Sequence, residues 1–456
     1  MQPPVTRHPS TVLSALAGRP TLPEWAADRL LRSRDHDVLR ALAVNPGLPP
    51  EARLRLADHQ DGHVRSGLLR SEDGRTAELY GRFAADPDPE VRIALARCSR
   101  APARVLAGLA HDPDPRVRGT LAQWWTRAPE AVRRSLLTDA DATVRAAACA
   151  VRHSRPPSPV PPADLHGALL ADPPTRAGVV RHLTLSPGLA TALAADTDSE
   201  VRAQLAAHPD LPVPLRDRLA EDPSALVRQE VLLRRDCPES LRTEIHAGLR
   251  ACADALFDPG AADEQAERAV EAMLTLADLE LRPVPWVLDA PALGVGSPYP
   301  CFRVTAAHSP YLTADQRARL LDDPVPHVRL AAAHGIDPDT AERLERGHPA
   351  RDKVRGRPAD GVDFPTTTLR RFATDPDPWI RRLAPRDPQL PAALLGDLAG
   401  DGHRVVRTAV AAHARLPVAA LLALLADPES SVAGAAARSP SLPTDLMDTL
   451  LTAGGL

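Results

Sequence analysis

The chain has 456 residues, a net charge of −4, 44% hydrophobic residues and only 3% aromatic residues. This hydrophobic content is enough to build a core and excludes global disorder, and the near-neutral charge provides no overall field that would attract nucleic acid or an anionic membrane. The 49 prolines exclude long uninterrupted helices, because a proline inside a helix costs roughly 3 kcal/mol. The helices must therefore be short, with prolines at their ends.

The five cysteines are odd in number, far apart and without a CxxC pair, which favours reduced thiols in a core over disulfides or a zinc site. The first 18 residues lack the apolar stretch of a secretory signal, and no run reaches the ~18 apolar residues that a membrane span needs. There is no GxGxxG, P-loop, GxSxG or HExxH motif. We expect a cytoplasmic protein that is not an enzyme and has no cofactor, metal or membrane partner.

In chain order, residues 1–21 are predicted to form an N-terminal cap segment, and a helical repeat array follows over residues 22–235. A Val-Arg or Ile-Arg dipeptide marks the repeat, and most neighbouring arginines lie 26 or 27 residues apart. A leucine or phenylalanine nine residues before the arginine forms a second column in nearly every unit. The arginines are Arg65, Arg92, Arg118, Arg145, Arg202, Arg228, Arg329, Arg355, Arg381 and Arg407.

Each repeat predicts two short helices joined by a tight turn. In the unit at 211–233, Leu211-Pro212 opens the first helix, and Leu215 and Leu219 lie on one of its faces. In the fuller turns, Asp-Pro-Asp-Pro, the second aspartate is a natural N-cap and the next proline suits the first helical position. Because one helix pair cannot bury its apolar stripe, the pattern predicts an all-α fold, an α-solenoid (superhelix) of stacked two-helix repeats.

An aspartate lies six residues before the arginine column in nine units. Arginine and aspartate at fixed positions predict a structural ladder of buried, bidentate pairs that link successive repeats, whereas phosphate-binding arginines would not need this aspartate. The aspartates are Asp86, Asp112, Asp139, Asp196, Asp222, Asp323, Asp375, Asp401 and Asp427.

Three segments interrupt the array. Residues 154–163 form a proline-rich spacer, and the unit after it places Val180 at the arginine position. Residues 236–310 contain longer helical segments without a Val-Arg turn, which indicates either diverged repeats or an inserted helical subdomain. The array resumes over 311–456, with a loop insertion at 345–365 and a predicted C-terminal cap. Inserted loops often carry binding residues.

The repeat columns resemble the HEAT-like families and most closely the leucine-rich repeat variant family. The resemblance covers about residues 22–235 and 311–456 and implies stacked two-helix repeats in which the second element is either an α-helix or a 3₁₀ helix. A known member carries a cysteine-rich iron–sulfur segment, which this chain lacks, so no cofactor is expected. The motifs behind the resemblance are Asp-Pro-Asp-Pro-Glu-Val-Arg at 86–92 and the Pro-x-Leu-Pro junctions at 45–49, 208–212 and 439–443.

The two positions after the repeat arginines contain one basic residue in ten units, Arg382, so the basic stripe of a DNA-binding repeat protein is missing there. We therefore expect a non-catalytic scaffold that binds a protein or peptide partner along its repeat surface, with nucleic acid less favoured. The alternative is a DNA-binding HEAT-like protein similar to the alkylpurine DNA glycosylases. A third hypothesis, an enzyme regulator acting through residues 236–310, is compatible with the first.

The candidate partner contacts lie near the loop insertion. Trp379 occupies a turn position that holds a charged residue or histidine in other units, so we expect it to be exposed. The basic loop residues Arg351, Lys353, Arg355 and Arg357 are the other candidates.

Overall fold

The computed structural model describes residues 7–71, 76–150, 159–257, 263–349 and 356–456, and within these ranges every regular element is helical. None of the helices described there combines the length and apolar character needed to cross a bilayer. The chain divides into two compact units. Unit 1 contains the described residues of Met1–Leu109 and Gly335–Leu456, and unit 2 is formed by those of Ala110–His334.

The helices of unit 1 before unit 2 are α1 Pro9–Ala17, α2 Glu24–Leu30, α3 His36–Val44, α4 Pro50–Ala57, α5 Gly62–Gly67, α6 Ala77–Ala84, α7 Pro89–Ala96 and α8 Ala103–Leu109. Unit 2 contains α9 Pro115–Trp124, α10 Glu130–Leu137, α11 Ala142–Cys149, α12 His166–Ala171, α13 Pro173–Val180, α14 Pro187–Leu193, α15 Ser199–Ala206, α16 Val213–Leu219, α17 Ala225–Leu232, α18 Glu239–Asp254, α19 Asp263–Leu281, α20 Pro285–Asp289, α21 Pro291–Val295, α22 Pro300–Ala307, α23 Ala314–Leu321 and α24 Pro326–Ala332. The remaining helices of unit 1 are α25 Pro338–Arg346, α26 Thr366–Phe372, α27 Pro378–Arg381, α28 Ala392–Ala399, α29 Arg404–Ala411, α30 Val418–Leu425, α31 Ser430–Ala437 and α32 Thr444–Ala453. Short 3₁₀ helices lie at Ala163–Leu165, Ala255–Phe257 and Ala384–Arg386.

The regular repeats are built as their sequence predicts. The Asp88 side chain accepts a hydrogen bond from the backbone N–H of Glu90, and Pro89 occupies the first turn of α7. The valine before the arginine, such as Val91, is fully buried, as is Phe83 of the second apolar column, and their helices α6 and α7 pack on each other. Second helices pack against one another from repeat to repeat, as α9 does on α11. This confirms the predicted all-α two-helix repeat fold.

The second element of each regular repeat is an α-helix, which decides between the two forms that the family resemblance left open. The exception is the repeat of α27, whose four-residue α-helix is followed by a 3₁₀ turn at Ala384–Arg386. Pro385 lies inside this stretch and lacks the N–H that a continuing α-helix would use.

The placement of Val180 in the arginine column is wrong. Val180 is buried in the core, and Arg176 occupies the column, 26 residues before Arg202. Its Nε donates to the carbonyl oxygen of Leu170, and its Nη1 donates to the Asp196 carboxylate at 2.9 Å. The column is hidden in the sequence because Thr175 precedes this arginine, where most other units have valine or isoleucine.

Residues 236–310 continue the stack as two enlarged repeats. Helices α18 and α19 pack on each other as one helix pair, and α19 also contacts α17 on one side and α22 on the other. Helices α20, α21 and α22 then form a second repeat, whose Arg303 lies 26 residues before Arg329. Arg303 does not belong to a Val-Arg dipeptide, because Phe302 precedes it.

The first and last helices of unit 1 meet. Helix α1 packs on α3 and on α31, and α2 packs on α32. The Arg29 guanidinium donates to the Thr452 hydroxyl at 2.9 Å and binds the Asp448 carboxylate. The segment predicted as an N-terminal cap is therefore packed on two sides.

Candidate functional site

The repeat arginines join consecutive repeats. The Nε and Nη2 atoms of Arg118 donate to the Asp139 carboxylate of the following repeat at 2.8 Å each, and Nη1 donates to the Asp112 carbonyl of its own repeat at 2.7 Å. The same bidentate geometry joins six further pairs. These are Arg65 with Asp86, Arg145 with Asp172, Arg202 with Asp222, Arg303 with Asp323, Arg381 with Asp401 and Arg407 with Asp427.

The ladder groups stabilise each other's charged forms. The hydrogen bond from Arg118 holds the pKa of Asp139 below its usual range, although burial acts in the opposite direction. Asp139 in turn raises the pKa of Arg118. The same carboxylate accepts a hydrogen bond from the backbone N–H of Asp141 at 2.9 Å. One aspartate therefore stabilises the turn of its own repeat and also binds the arginine of the preceding repeat.

Two other predicted ladder arginines make the same contact within their own repeat as Arg118 does, whereas Arg228 differs. Arg92 and Arg329 donate to the carbonyl oxygens of Asp86 and Asp323 at 2.7 Å. The Nε of Arg228 is buried without a hydrogen-bond partner in the described part of the chain, because the long helix α18 replaces the usual aspartate turn.

Asp375 pairs with an arginine that the repeat register does not indicate. The Arg346 guanidinium, at the end of α25, donates to the Asp375 carboxylate at 2.7 and 3.1 Å. The column predicts Arg355 as the partner, but Arg351, Lys353 and Arg355 lie outside the described residues.

Trp379 and Arg357 form a packed cluster, which corrects the expectation that Trp379 is exposed. The Arg357 guanidinium lies 4.0 Å from the centre of the Trp379 ring and leaves this ring only partly accessible. Arg357 also donates to Glu345, a carboxylate that is 1% exposed and accepts from Arg382 at 3.0 Å. These side chains therefore hold the inserted loop against α25 and α27.

Helix α19 carries a run of exposed apolar side chains. Val270, Met273, Leu274 and Ala277 are all exposed, and Leu274 is 60% exposed. They follow the i, i+3, i+4, i+7 spacing and form one stripe, which we call the α19 stripe. The opposite side of α19 is already buried through Ala269, Ala272 and Leu279, among other residues. The helix thus has a wider apolar surface than its own packing uses.

Acidic residues surround the α19 stripe. Helix α19 carries six carboxylates and one arginine, Arg268. Glu264, Glu267, Asp278 and Glu280 are exposed. A further carboxylate, Glu271, accepts a hydrogen bond from the Ser224 hydroxyl at 2.7 Å and fixes α19 to the start of α17. The stripe therefore lies on a helix that is bound to α17, and it is surrounded by negative charge. The sequence signal was the run AMLTLADLEL, whose apolar residues exceed one helical face.

The reactive side chains lie apart from one another. Among the described residues, no three His, Cys, Asp or Glu side chains converge on a position that could hold a metal ion. Burial raises the pKa of Cys149 and Cys301 to about 12 and that of Cys237 to about 11. These three thiols stay protonated at neutral pH.

No family model and no curated protein matches the chain. Among solved structures, a leucine-rich repeat variant described as having a novel repetitive structural motif is 21% identical over 53% of this chain and 88% of that chain, with a TM-score of 0.33. An engineered protein is 17% identical over 96% and 99% of the two chains, with a TM-score of 0.17. Kap121p bound to RanGTP is 16% identical over 88% of this chain and 44% of that chain, with a TM-score of 0.19. The fold assignment rests on the helices themselves.

Proposed function

We propose that this chain is a non-catalytic helical-repeat scaffold that binds a protein partner through the α19 stripe. The observation that carries the proposal is the exposure of Val270, Met273, Leu274 and Ala277 on one face of a helix that is already packed on its other face. Full burial of a leucine side chain contributes about 1.5–3 kcal/mol, so this stripe is a large unused source of binding free energy.

The spacing of the stripe favours a helical partner. Apolar side chains at i, i+3, i+4 and i+7 are those that one helix presents to another when an amphipathic helix binds to a protein surface. The exposed carboxylates Glu264, Glu267, Asp278 and Glu280 favour basic residues at the edges of that partner. The partner we propose is therefore an amphipathic helix with basic flanks.

The chemistry of the described side chains supports a non-catalytic role. Cys149, Cys237 and Cys301 are protonated thiols at neutral pH and poor nucleophiles. The repeat arginines that resemble phosphate ligands in the sequence are engaged by aspartates, as in Arg118 with Asp139. The acidic surroundings of the α19 stripe would repel a nucleic-acid backbone. We therefore favour a protein partner over DNA.

Site-specific photo-crosslinking tests the proposal. A photoreactive phenylalanine analogue replaces Leu274 in the full chain expressed in its own cells, and the crosslinked protein is identified by mass spectrometry. The matched control carries the same analogue at Val213, another apolar residue of unit 2, which is 52% exposed on α16. The expected result is a protein crosslinked at Leu274 and absent at Val213, with the crosslink in a basic amphipathic helix.

Two outcomes contradict the proposal. The first is the same set of crosslinked proteins at Leu274 and Val213, because the α19 stripe would then be no more than ordinary surface. The second is a crosslink to nucleic acid at Leu274, which would support the DNA-binding alternative.

A further inference from the structure

A second candidate site lies in unit 2, away from the apolar residues of the α19 stripe. An open cleft of about 710 Å³ lies where the C-terminal ends of α13 and α17 face the segment between α19 and α20. Arg181 and Glu230 line it, and Arg282 and Trp286 form a further part of its wall. The indole N–H of Trp286 donates to the Leu233 carbonyl at 2.9 Å and fixes this wall. The volume suits a small organic ligand.

The base of the cleft holds two arginines around one carboxylate. Glu230 is 4% exposed and accepts hydrogen bonds from Arg282 and, at 3.4 Å, from Arg181. Asp278 lies 3.9 Å from Arg282 but also accepts a hydrogen bond from Gln229 at 3.0 Å. Its carboxylate therefore neutralises the charge of Arg282 only in part. Glu200 also attracts Arg181, but the hydrogen-bonded carboxylate of Glu230 is shared between the two arginines.

Arg181 is bound to Glu230 more weakly than Arg282 is. Its Nε is buried and has no hydrogen-bond partner among the described residues, and the bond from its Nη2 to Glu230 is long, at 3.4 Å. Burial lowers the pKa of Arg181, although Glu230 acts in the opposite direction. Arg97 and Arg438 occupy the same position after the second helix in other repeats, but both are exposed, whereas the Nε of Arg181 is buried.

Arg235 supplies a second cation at the edge of the cleft. It is exposed and has no hydrogen bond or ion pair to any residue in the described ranges. The neighbouring Arg234 differs, because its guanidinium is bound to Asp236 at 2.7 Å and to the carbonyls of Ala206 and His208. The cleft therefore offers two incompletely paired guanidinium groups, Arg181 and Arg235.

We propose that this cleft binds the phosphate group of a small ligand, with Arg181 as its principal contact and Arg235 as a second cation at the rim. A phosphate group carries about −1.5 to −2 charges at neutral pH. It therefore neutralises two guanidinium groups more completely than a ligand carboxylate, with its single charge, would. The cleft is larger than a phosphate ion, and Leu233, Val284 and Trp286 form an apolar surface for an organic substituent.

Isothermal titration calorimetry of the full chain with inorganic phosphate and with phenyl phosphate tests this proposal. The variants are Arg181→Gln, Arg235→Gln and the control Arg218→Gln, which removes an exposed arginine of α16 outside the cleft. We expect binding by the wild type and by Arg218→Gln, a loss of about tenfold or more in affinity for Arg181→Gln, and a smaller loss for Arg235→Gln. Thermal melting without ligand checks that each variant is folded.

The two probes distinguish the source of the phosphate. Tighter binding of phenyl phosphate assigns the cleft to a phosphorylated small molecule, and equal affinities assign it to free phosphate. The proposal is wrong if neither probe binds to the wild type, or if Arg181→Gln and Arg235→Gln both bind like the wild type. Because Arg235 is exposed, its variant remains informative even if Arg181→Gln fails to fold. None of these results depends on whether the α19 stripe binds a protein.

Discussion

Replacing Arg118 by alanine isolates the contribution of one ladder pair. The change removes two hydrogen bonds of 2.8 Å to the Asp139 carboxylate and one of 2.7 Å to the Asp112 carbonyl. Asp139 keeps its bond from the backbone N–H of Asp141, so its carboxylate is not left entirely without a donor. The perturbation therefore removes the connection between two repeats and leaves the turn of the second repeat in place.

The expected loss lies between the values for exposed and buried ion pairs. An exposed pair contributes about 0.2–1 kcal/mol, whereas removing one partner of a buried pair costs about 3–5 kcal/mol. The side chains of Arg118 and Asp139 are 15% and 9% exposed, close to the buried limit. Because Asp139 retains one donor and the truncation admits water, we expect Arg118→Ala to lower the free energy of unfolding by about 2 kcal/mol.

Urea unfolding followed by circular dichroism measures this change, with Arg116→Ala as the control. Arg116 lies two residues away on α9, is 58% exposed and pairs with Asp114 at the surface, so its removal should cost less than about 0.5 kcal/mol. Hydrogen exchange should place the loss in α9 and α11, because repeat arrays are stabilised by contacts between neighbours. Equal stability of Arg118→Ala and Arg116→Ala would refute the structural role of the ladder.

The same pair predicts a pH dependence. The pKa of Asp139 is lower in the folded chain than in the unfolded chain, chiefly because of the hydrogen bond from Arg118. Its contribution to stability is therefore present above the ordinary carboxyl pKa of about 4 and is lost as the pH falls through the folded value. The stability difference between the wild type and Arg118→Ala should be constant near neutral pH and shrink below about pH 4.

Three further predictions concern other parts of the chain. Glu345→Ala should lower the free energy of unfolding by roughly 3 kcal/mol, because two arginines lose a buried carboxylate, whereas exposed Glu51→Ala should have little effect in the same urea titration. A thiol reagent should modify partly exposed Cys252 in the native chain and Cys301 only after unfolding, and prompt native reaction of Cys301 would contradict its burial. Fluorescence anisotropy should detect no binding to plain or methylated duplex DNA tighter than about 10⁻⁶ M at physiological salt, and no alkylated base should be released; sub-micromolar, salt-sensitive binding would favour the DNA-binding alternative.

The repeat fold was predictable because its signals are local. Proline and N-cap residues end and begin each helix, and the valine and leucine columns mark the buried faces, so residues such as Asp88 and Val91 indicate their positions within a few neighbours. The Val-Arg dipeptide does not mark Arg176 and Arg303, because the residue before them is threonine or phenylalanine. At both positions the interval of 26 residues to the next arginine was the better signal.

The candidate sites were not predictable because they depend on contacts between distant segments. Arg181 and Arg282 meet at Glu230 from 49 and 52 residues away, and no local pattern connects them. The apolar character of α19 is visible in the sequence, but which of its faces stays exposed is decided by the packing of α17, α18 and α22. Trp379 was expected to be exposed because its turn position is polar in other repeats, yet Arg357 returns from the inserted loop to cover it.

The most direct test of the proposed function is the affinity of the partner segment captured at Leu274 for three forms of the chain, measured by isothermal titration calorimetry. Leu274→Glu adds a charge to the centre of the α19 stripe and should weaken binding by about tenfold or more, which corresponds to about 1.4 kcal/mol. Val213→Glu makes the same change at a similarly exposed residue and should bind like the wild type. Equal affinities of the wild type and Leu274→Glu would contradict the assignment of the α19 stripe as the partner-binding surface.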